Sequence, residues 1–248
     1  MSKKIMIGID INEILRAKWF QFDKFYAQEF GEDGVPEQPY VYDYFKYYKW
    51  KDIVETTKDL KEPADMPTDI SPIDYQLDKI NGEAPADTFL FKKSEKTKLT
   101  AKEVYNRFMY EDYCFEIHAA ALMMYKGMDL HVNNFYLKYN NSAEFTILSK
   151  ENPFSIPPTL FFLSKITTRI KNYHFVDNSL DMWNYVDVLI TTDPEILETK
   201  IPWGKKLIKL RKPYNEKINA GSLEILQIND LIDNQTFEKI IKYKKTTK

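Results

Sequence analysis

At 248 residues the chain is long enough for one α/β domain carrying an insertion, or for two small domains. Acidic and basic side chains nearly cancel, 37 against 35 with a formal net charge of -2, which excludes an overall field drawing the protein to nucleic acid or to a membrane surface. The single cysteine, Cys114, excludes an internal disulfide, and the three histidines, His118, His131 and His174, lack the spacing of a transition-metal site. No stretch approaches the roughly 20 apolar residues of a membrane span, and the opening MSKKIMIGID is too brief for a signal peptide. The expected setting is reducing and aqueous, as in a cytoplasm. Aromatics at 15% beside only 7 glycines give many rigid contact groups and few hinges, a mixture suited to packing and interfaces.

Residues 4–10, KIMIGID, form an apolar run ending at a carboxylate, and residues 13–30 follow with Trp19, Phe20, Phe22, Phe25, Tyr26 and Phe30. This predicts a buried strand feeding a helix over 13–30. From residue 31 to about 99, Pro36, Pro39, Pro63, Pro67, Pro72 and Pro85 punctuate an acidic, tyrosine-rich region in which only residues 42–60 read as helical. Residues 100–110 open with Thr100 and Glu103 at capping-box spacing, and a longer helical stretch is expected over 112–125. Short apolar, β-branched runs lie at 144–149, 173–177, 187–191 and 206–210, with a last candidate at 223–226. Pro157 and Pro158 open a helix reaching about residue 170, and residues 228–244 make an amphipathic closing helix with a lysine-rich end. Strands alternating with helices imply an α/β fold with a doubly wound parallel sheet. Its core is expected from residues 1–30 and 144–248, with residues 31–143 as an inserted, aromatic-rich cap or interaction region.

In an open parallel sheet, ligands bind beyond the carboxyl ends of the strands. The residues there are 10–13, 149–150, 177–179 and 191–193. Taken in order they resemble the four motifs of the haloacid-dehalogenase-like (HAD) superfamily, most closely its 5'-nucleotidase-like branch. In that family the first strand ends in Asp-x-Asp, one carboxylate attacking phosphorus and the next shuttling a proton; here it reads Asp10-Ile11-Asn12. Residues 187–197, DVLITTDPEIL, resemble the fourth motif, an apolar run followed by two Asp, one variable residue and Pro. Aligned on Pro194, Thr191 and Thr192 stand in place of the acids. Residues 206–215, KLIKLRKPYN, are similar to the strand and Pro-Tyr-Asn ending of nucleotidase relatives. The resemblance covers residues 4–30 and 144–216.

An active site of this kind implies Asp10 as nucleophile, Ser149 on the phosphate, Lys165 as charge partner, and Asp10 with Asp193 holding Mg²⁺. The departures count against it. Asn12 cannot give or take a proton, Thr191 and Thr192 offer neutral hydroxyls, and Asn178 and Ser179 stand where the family's lysine is commonly met. The expectation is therefore a noncatalytic HAD scaffold with no cofactor and no catalytic or metal residues. A Mg²⁺-dependent 5'-nucleotidase-type phosphohydrolase and a nucleotide-binding sensor without turnover are the alternatives. Residue by residue, Asp10 also reads as a helix cap, Ser149 and Thr192 as turn residues, and Lys165 as a solvated helix residue. The aromatics from Trp19 to Phe30 read as packing rather than a base-stacking platform.

Residues 40–50, YVYDYFKYYKW, are rich in interface anchors, so the expected partners are other protein subunits in an oligomeric assembly. The Lys, Ile, Asn and Tyr bias and the degenerate core look like proteins of tailed bacteriophages. That resemblance implies a virion component, such as a neck or tail ring, made in the host cytoplasm.

Overall fold

Side chains alternate between the two faces of a strand, and the first strand obeys this strictly. In β1 (Ile5–Asp10) the isoleucines at 5, 7 and 9 all point to one face and are buried. A computed structural model describes residues 4–31, 45, 48–56, 96–220 and 223–243. The chain divides into two compact units, residues 1–49 with 105–248, and residues 50–104.

In the larger unit, β1, β6 (Ala143–Lys150), β7 (Asn172–Val176), β8 (Val188–Thr191), β9 (Lys206–Leu210) and β10 (Leu223–Ile225) form one sheet in the order β10-β9-β8-β1-β6-β7. All of its pairings are parallel, as the alternation of strands and helices predicts. The order reverses at β1, from which the chain proceeds to β6 and β7 on one side and later to β8, β9 and β10 on the other. Such a switch point opens a crevice at the strand ends. Register decides which residues reach it: Asp10 lies beside Leu148, and Ile9 beside Ile190, so Asp10, Ser149 and Thr191 arrive nearly level.

Both faces of this sheet are covered. One face packs Ile7, Ile9, Ile147, Ile190 and Ile208 against α4 (Met128–Tyr139), α5 (Ile156–Lys165) and α7 (Gln235–Tyr243), through Phe135, Phe162 and Phe237. The other packs Leu148, Leu189 and Leu207 against Met182 and Trp183 and the one-turn helix α6 (Pro194–Glu198). Helix α1 (Lys18–Phe30) buries Trp19, Phe22 and Tyr26, so the expected aromatic packing holds at these three, while Phe20 is exposed. Tyr48 stacks on Trp19 at 5.9 Å, lies 4.6 Å from the Phe22 ring and bonds to Asp23 through its hydroxyl. Most of the candidate interface segment 40–50 lies outside the described residues.

In the smaller unit, β3 (Ile53–Thr56) pairs antiparallel with β4 (Lys96–Leu99). Helix α2 (Ala101–Arg107) then starts on the expected capping box. Glu103 Oε2 accepts the Thr100 N–H at 2.8 Å, and Thr100 Oγ1 accepts the Glu103 N–H at 3.3 Å.

Several expected helices are corrected. The first begins at Lys18, not Glu13, because the chain makes a tight turn and the short strand β2 (Arg16–Ala17) before it. Within the expected helix 42–60, residues 53–56 are strand, as the β-branched Ile53, Val54 and Thr56 favour. The stretch 112–125 holds only α3 (Cys114–His118), entered from a π turn at Phe108–Asp112 and followed by β5 (Leu122–Met123), which pairs with β2. The closing segment breaks into a 3-10 turn (Ile228–Leu231) and α7. Helix α4 was not anticipated, although Met128, Val132, Phe135 and Tyr139 bury one helical face. Among the described residues no helix is long and apolar enough to cross a membrane.

Gly8 sits on the crowded face of β1, where an added Cβ would lie 2.5 Å from Leu148 Cδ1 and 2.7 Å from Val186 Cγ1. Gly8→Ala is expected to lower stability by about 1–3 kcal/mol through overpacking, read as an earlier urea midpoint at unchanged m-value.

Candidate functional site at the strand ends

The loop after β1 sets the geometry. Leu15 and Arg16 both donate their N–H groups to the Ile11 carbonyl at 3.0 Å, and Glu13 adopts a left-handed φ of 58°. This tight reversal folds the chain back under the sheet end and aims Arg16 inward. The Glu13 carboxylate accepts the N–H groups of Lys18 and Trp19 at 3.2 and 3.4 Å, so it caps α1 from outside the helix. The sequence suggested Asp10 as that cap; Glu13 fills the role.

Asp10 is wholly buried. Its Oδ2 accepts the Thr191 hydroxyl at 2.8 Å and its Oδ1 the Asn12 N–H at 3.3 Å. Beside it, the Thr192 hydroxyl donates to the Asn12 carbonyl at 3.2 Å. Asn215, at the end of the Pro-Tyr-Asn segment, donates its amide to the carbonyls of Thr192 and Leu210 at 3.0 and 3.1 Å, pinning β8 and β9 at this edge. Asp193 caps α6 by accepting the Glu195 N–H at 2.9 Å and also accepts the Ser179 hydroxyl at 2.5 Å.

A second cluster adjoins the first. Arg16 Nη2 donates to Glu151 Oε1 at 2.5 Å and to Asn12 Oδ1 at 2.6 Å, and Nη1 donates to Thr159 Oγ1 at 2.7 Å. Ser149 donates to Glu151 Oε1 at 2.8 Å, and the Asn12 side-chain amide donates to Ser149 Oγ at 3.4 Å. Of the residues singled out in the sequence, Asp10, Ser149 and Asp193 thus come to the strand ends. Lys165 does not join them: it ends α5, about 9 Å along the helix from Thr159 at 1.5 Å per residue, exposed, with Nζ over the Phe161 and Phe162 rings at 5.7 Å. Sequence reading missed Arg16, Glu151, Thr159 and Glu13. A lone arginine in the apolar run ILRAKWF and an acid two residues past a strand-end serine were the available signals.

Electrostatics follow from burial. Desolvation, then the nearby Asp193, pushes the Asp10 carboxyl from 3.8 up to about 7 despite its hydrogen bonds from Thr191 and Asn12. Desolvation likewise raises Glu13 to about 7, opposed by Lys212 and Lys18, and lowers Lys18 to about 8. Glu151 is the exception. Burial alone would raise it, but Arg16, His118, Lys18 and Ser155 outweigh that and hold it well below the usual carboxylate range.

The HAD resemblance implies Mg²⁺ at this edge, and the residues present do not fit it. Mg²⁺ needs a near-octahedral set of hard oxygens at about 2.0–2.1 Å. Here Asp10 Oδ2 and the Asn12 carbonyl are turned toward hydroxyl hydrogens of Thr191 and Thr192, and both Asp193 oxygens accept protein donors. Among the described residues, no three His, Cys, Asp or Glu side chains gather as a metal-holding group.

Fold and site define a doubly wound α/β protein whose switch-point crevice is filled by its own polar side chains. A crystal structure described as that of a haloacid dehalogenase-like hydrolase from Burkholderia xenovorans LB400 is similar at 15% identity and a TM-score of 0.46, covering 94% of this chain and 96% of that one. UDP-GlcNAc 2-epimerase from Neisseria meningitidis, bound to UDP-GlcNAc, is similar at 16% identity and a TM-score of 0.32, covering 69% of this chain and 51% of that one. No protein-family model and no curated protein matches the chain.

A carboxyl whose folded pKa is raised binds its proton more tightly folded than unfolded, so its contribution to stability falls as pH climbs between the two values. For Asp10 that window runs from 3.8 to about 7. Asp10→Asn is expected to gain stability relative to wild type across it, by on the order of 1 kcal/mol per pH unit, with no further divergence above it. Urea midpoints of the two proteins at several pH values read this directly, and parallel pH profiles would contradict it.

Proposed function

We propose that this chain is a noncatalytic HAD-like protein, kept as a structural or interaction component of a protein assembly. The observation that carries the reading is the state of Asp10: fully buried, with the Thr191 hydroxyl and the Asn12 N–H on its two oxygens. A nucleophile for phosphoryl transfer must face its phosphate in line. Asn12 adds to this, since its amide is too weak an acid to protonate a leaving group and instead links Arg16 to Ser149. The interaction half is supported by exposed aromatics in the larger unit. Phe115 and Phe161 lie 5.3 Å apart, both exposed, and Phe154, whose carbonyl accepts the Cys114 thiol at 3.5 Å, is 70% exposed. Apolar side chains grouped in this way mark contact surfaces. Within this reading the specific proposal is a virion subunit of a tailed bacteriophage, in a neck or tail ring, motivated by the sequence bias and the degenerate motifs.

The test is made on one preparation. Purified protein with Mg²⁺ is expected to release no phosphate above background from nucleoside monophosphates or a small aryl phosphate, and to sediment as species larger than a monomer at tens of micromolar. Mg²⁺-dependent turnover abolished by Asp10→Asn would overturn the noncatalytic half and restore a 5'-nucleotidase-type hydrolase. A strictly monomeric protein would overturn the self-assembling form of the interaction half.

A further inference from the structure

The Glu151 carboxylate accepts four hydrogen bonds, which fills its two oxygens. Its Oε1 accepts from Arg16 Nη2 at 2.5 Å, Ser149 Oγ at 2.8 Å and Thr159 Oγ1 at 3.1 Å. Its Oε2 accepts from Ser155 Oγ at 2.6 Å, and the His118 ring lies 3.4 Å away without a hydrogen bond to it. These donors come from the loop after β1, the end of β6 and the turn and first residues that open α5, so three separate stretches of chain converge on one anion. Arg16 and Glu151 side chains are exposed by 0% and 1%. Arg16 Nε, among the described residues, has no hydrogen-bond partner, so the guanidinium is held for its charge and fork rather than by saturation of its five donors.

A guanidinium and three hydroxyls arranged around one point are what binds a small oxyanion. We propose that the end of β6 is an oxyanion cradle which the chain fills with its own Glu151 carboxylate, so that no external phosphate or carboxylate enters while Glu151 is in place. The Ser149 hydroxyl, which the family resemblance assigns to a phosphate, is here committed to Glu151. This goes beyond the noncatalytic reading and does not depend on it: turnover by wild type tests that reading, whereas removal of the carboxylate tests the cradle.

Glu151→Ala removes the internal anion and leaves space close to that of acetate. Melting curves of wild type, Glu151→Ala, Glu151→Gln and the double variant Arg16→Met/Glu151→Ala are compared in chloride, acetate and inorganic phosphate at matched ionic strength. Glu151→Ala is expected to show saturable stabilisation by acetate, rising about 4 °C once the anion exceeds its dissociation constant roughly tenfold. Wild type, Glu151→Gln and the double variant are expected to show none. If Glu151→Ala is unfolded in chloride, acetate must restore its far-UV circular dichroism, and a variant unfolded in both salts overturns the proposal. A folded Glu151→Ala indifferent to both anions also overturns it, as does saturable, Arg16-dependent stabilisation of wild type by phosphate. Phosphate acting on Glu151→Ala as acetate does would extend the cradle to tetrahedral anions; acetate alone would restrict it to carboxylates.

Discussion

Arg16 and Glu151 meet at 2.5 Å with both side chains out of water, and the strand ends are organised around that pair. Removing each ion from water costs several kcal/mol, and their attraction repays it only where the remaining donors and acceptors are also met. That requirement explains the company they keep: Asn12 and Thr159 on the guanidinium, Ser149, Ser155 and Thr159 on the carboxylate. Losing one partner would strand the other as a buried charge. The pair therefore ties the loop after β1, the end of β6 and the start of α5 into one arrangement.

The neighbouring cluster follows the same logic with weaker groups. Where the resemblance would place acids, Thr191 and Thr192 bring hydroxyls that donate to Asp10 and to the Asn12 carbonyl. A hydroxyl pairs an oxygen with a hydrogen bond, while an acid would need a cation to share the space with Asp10. With threonines at these positions, the oxygens of Asp10 and Asn12 are met by donors of the chain itself. A fold of this kind hosts many functions, and only the site discriminates among them.

Much of the sheet was legible in the sequence because its inner strands are buried on both faces and read as short apolar runs; Lys206–Leu210 was located to the residue. The strand-end positions of Asp10, Ser149 and Asp193 followed from the same runs. Helical segments were less legible where local geometry overrode pattern. The left-handed Glu13 turned the chain before α1, and a π turn interrupted the segment leading to α3. Helix α4 announced itself only through spaced apolar residues among asparagines and tyrosines. The Arg16–Glu151 pair was illegible for a different reason: its members are separated by 135 residues, and neither periodicity nor a local motif couples them.

Asp10 is held in a network of the chain's own donors, the Thr191 hydroxyl and the Asn12 N–H. Isothermal titration of Mg²⁺ into wild type and Asp10→Asn tests it most directly. The account predicts indistinguishable, nonsaturating heats for the two proteins; saturable one-site binding to wild type that Asp10→Asn abolishes would contradict it.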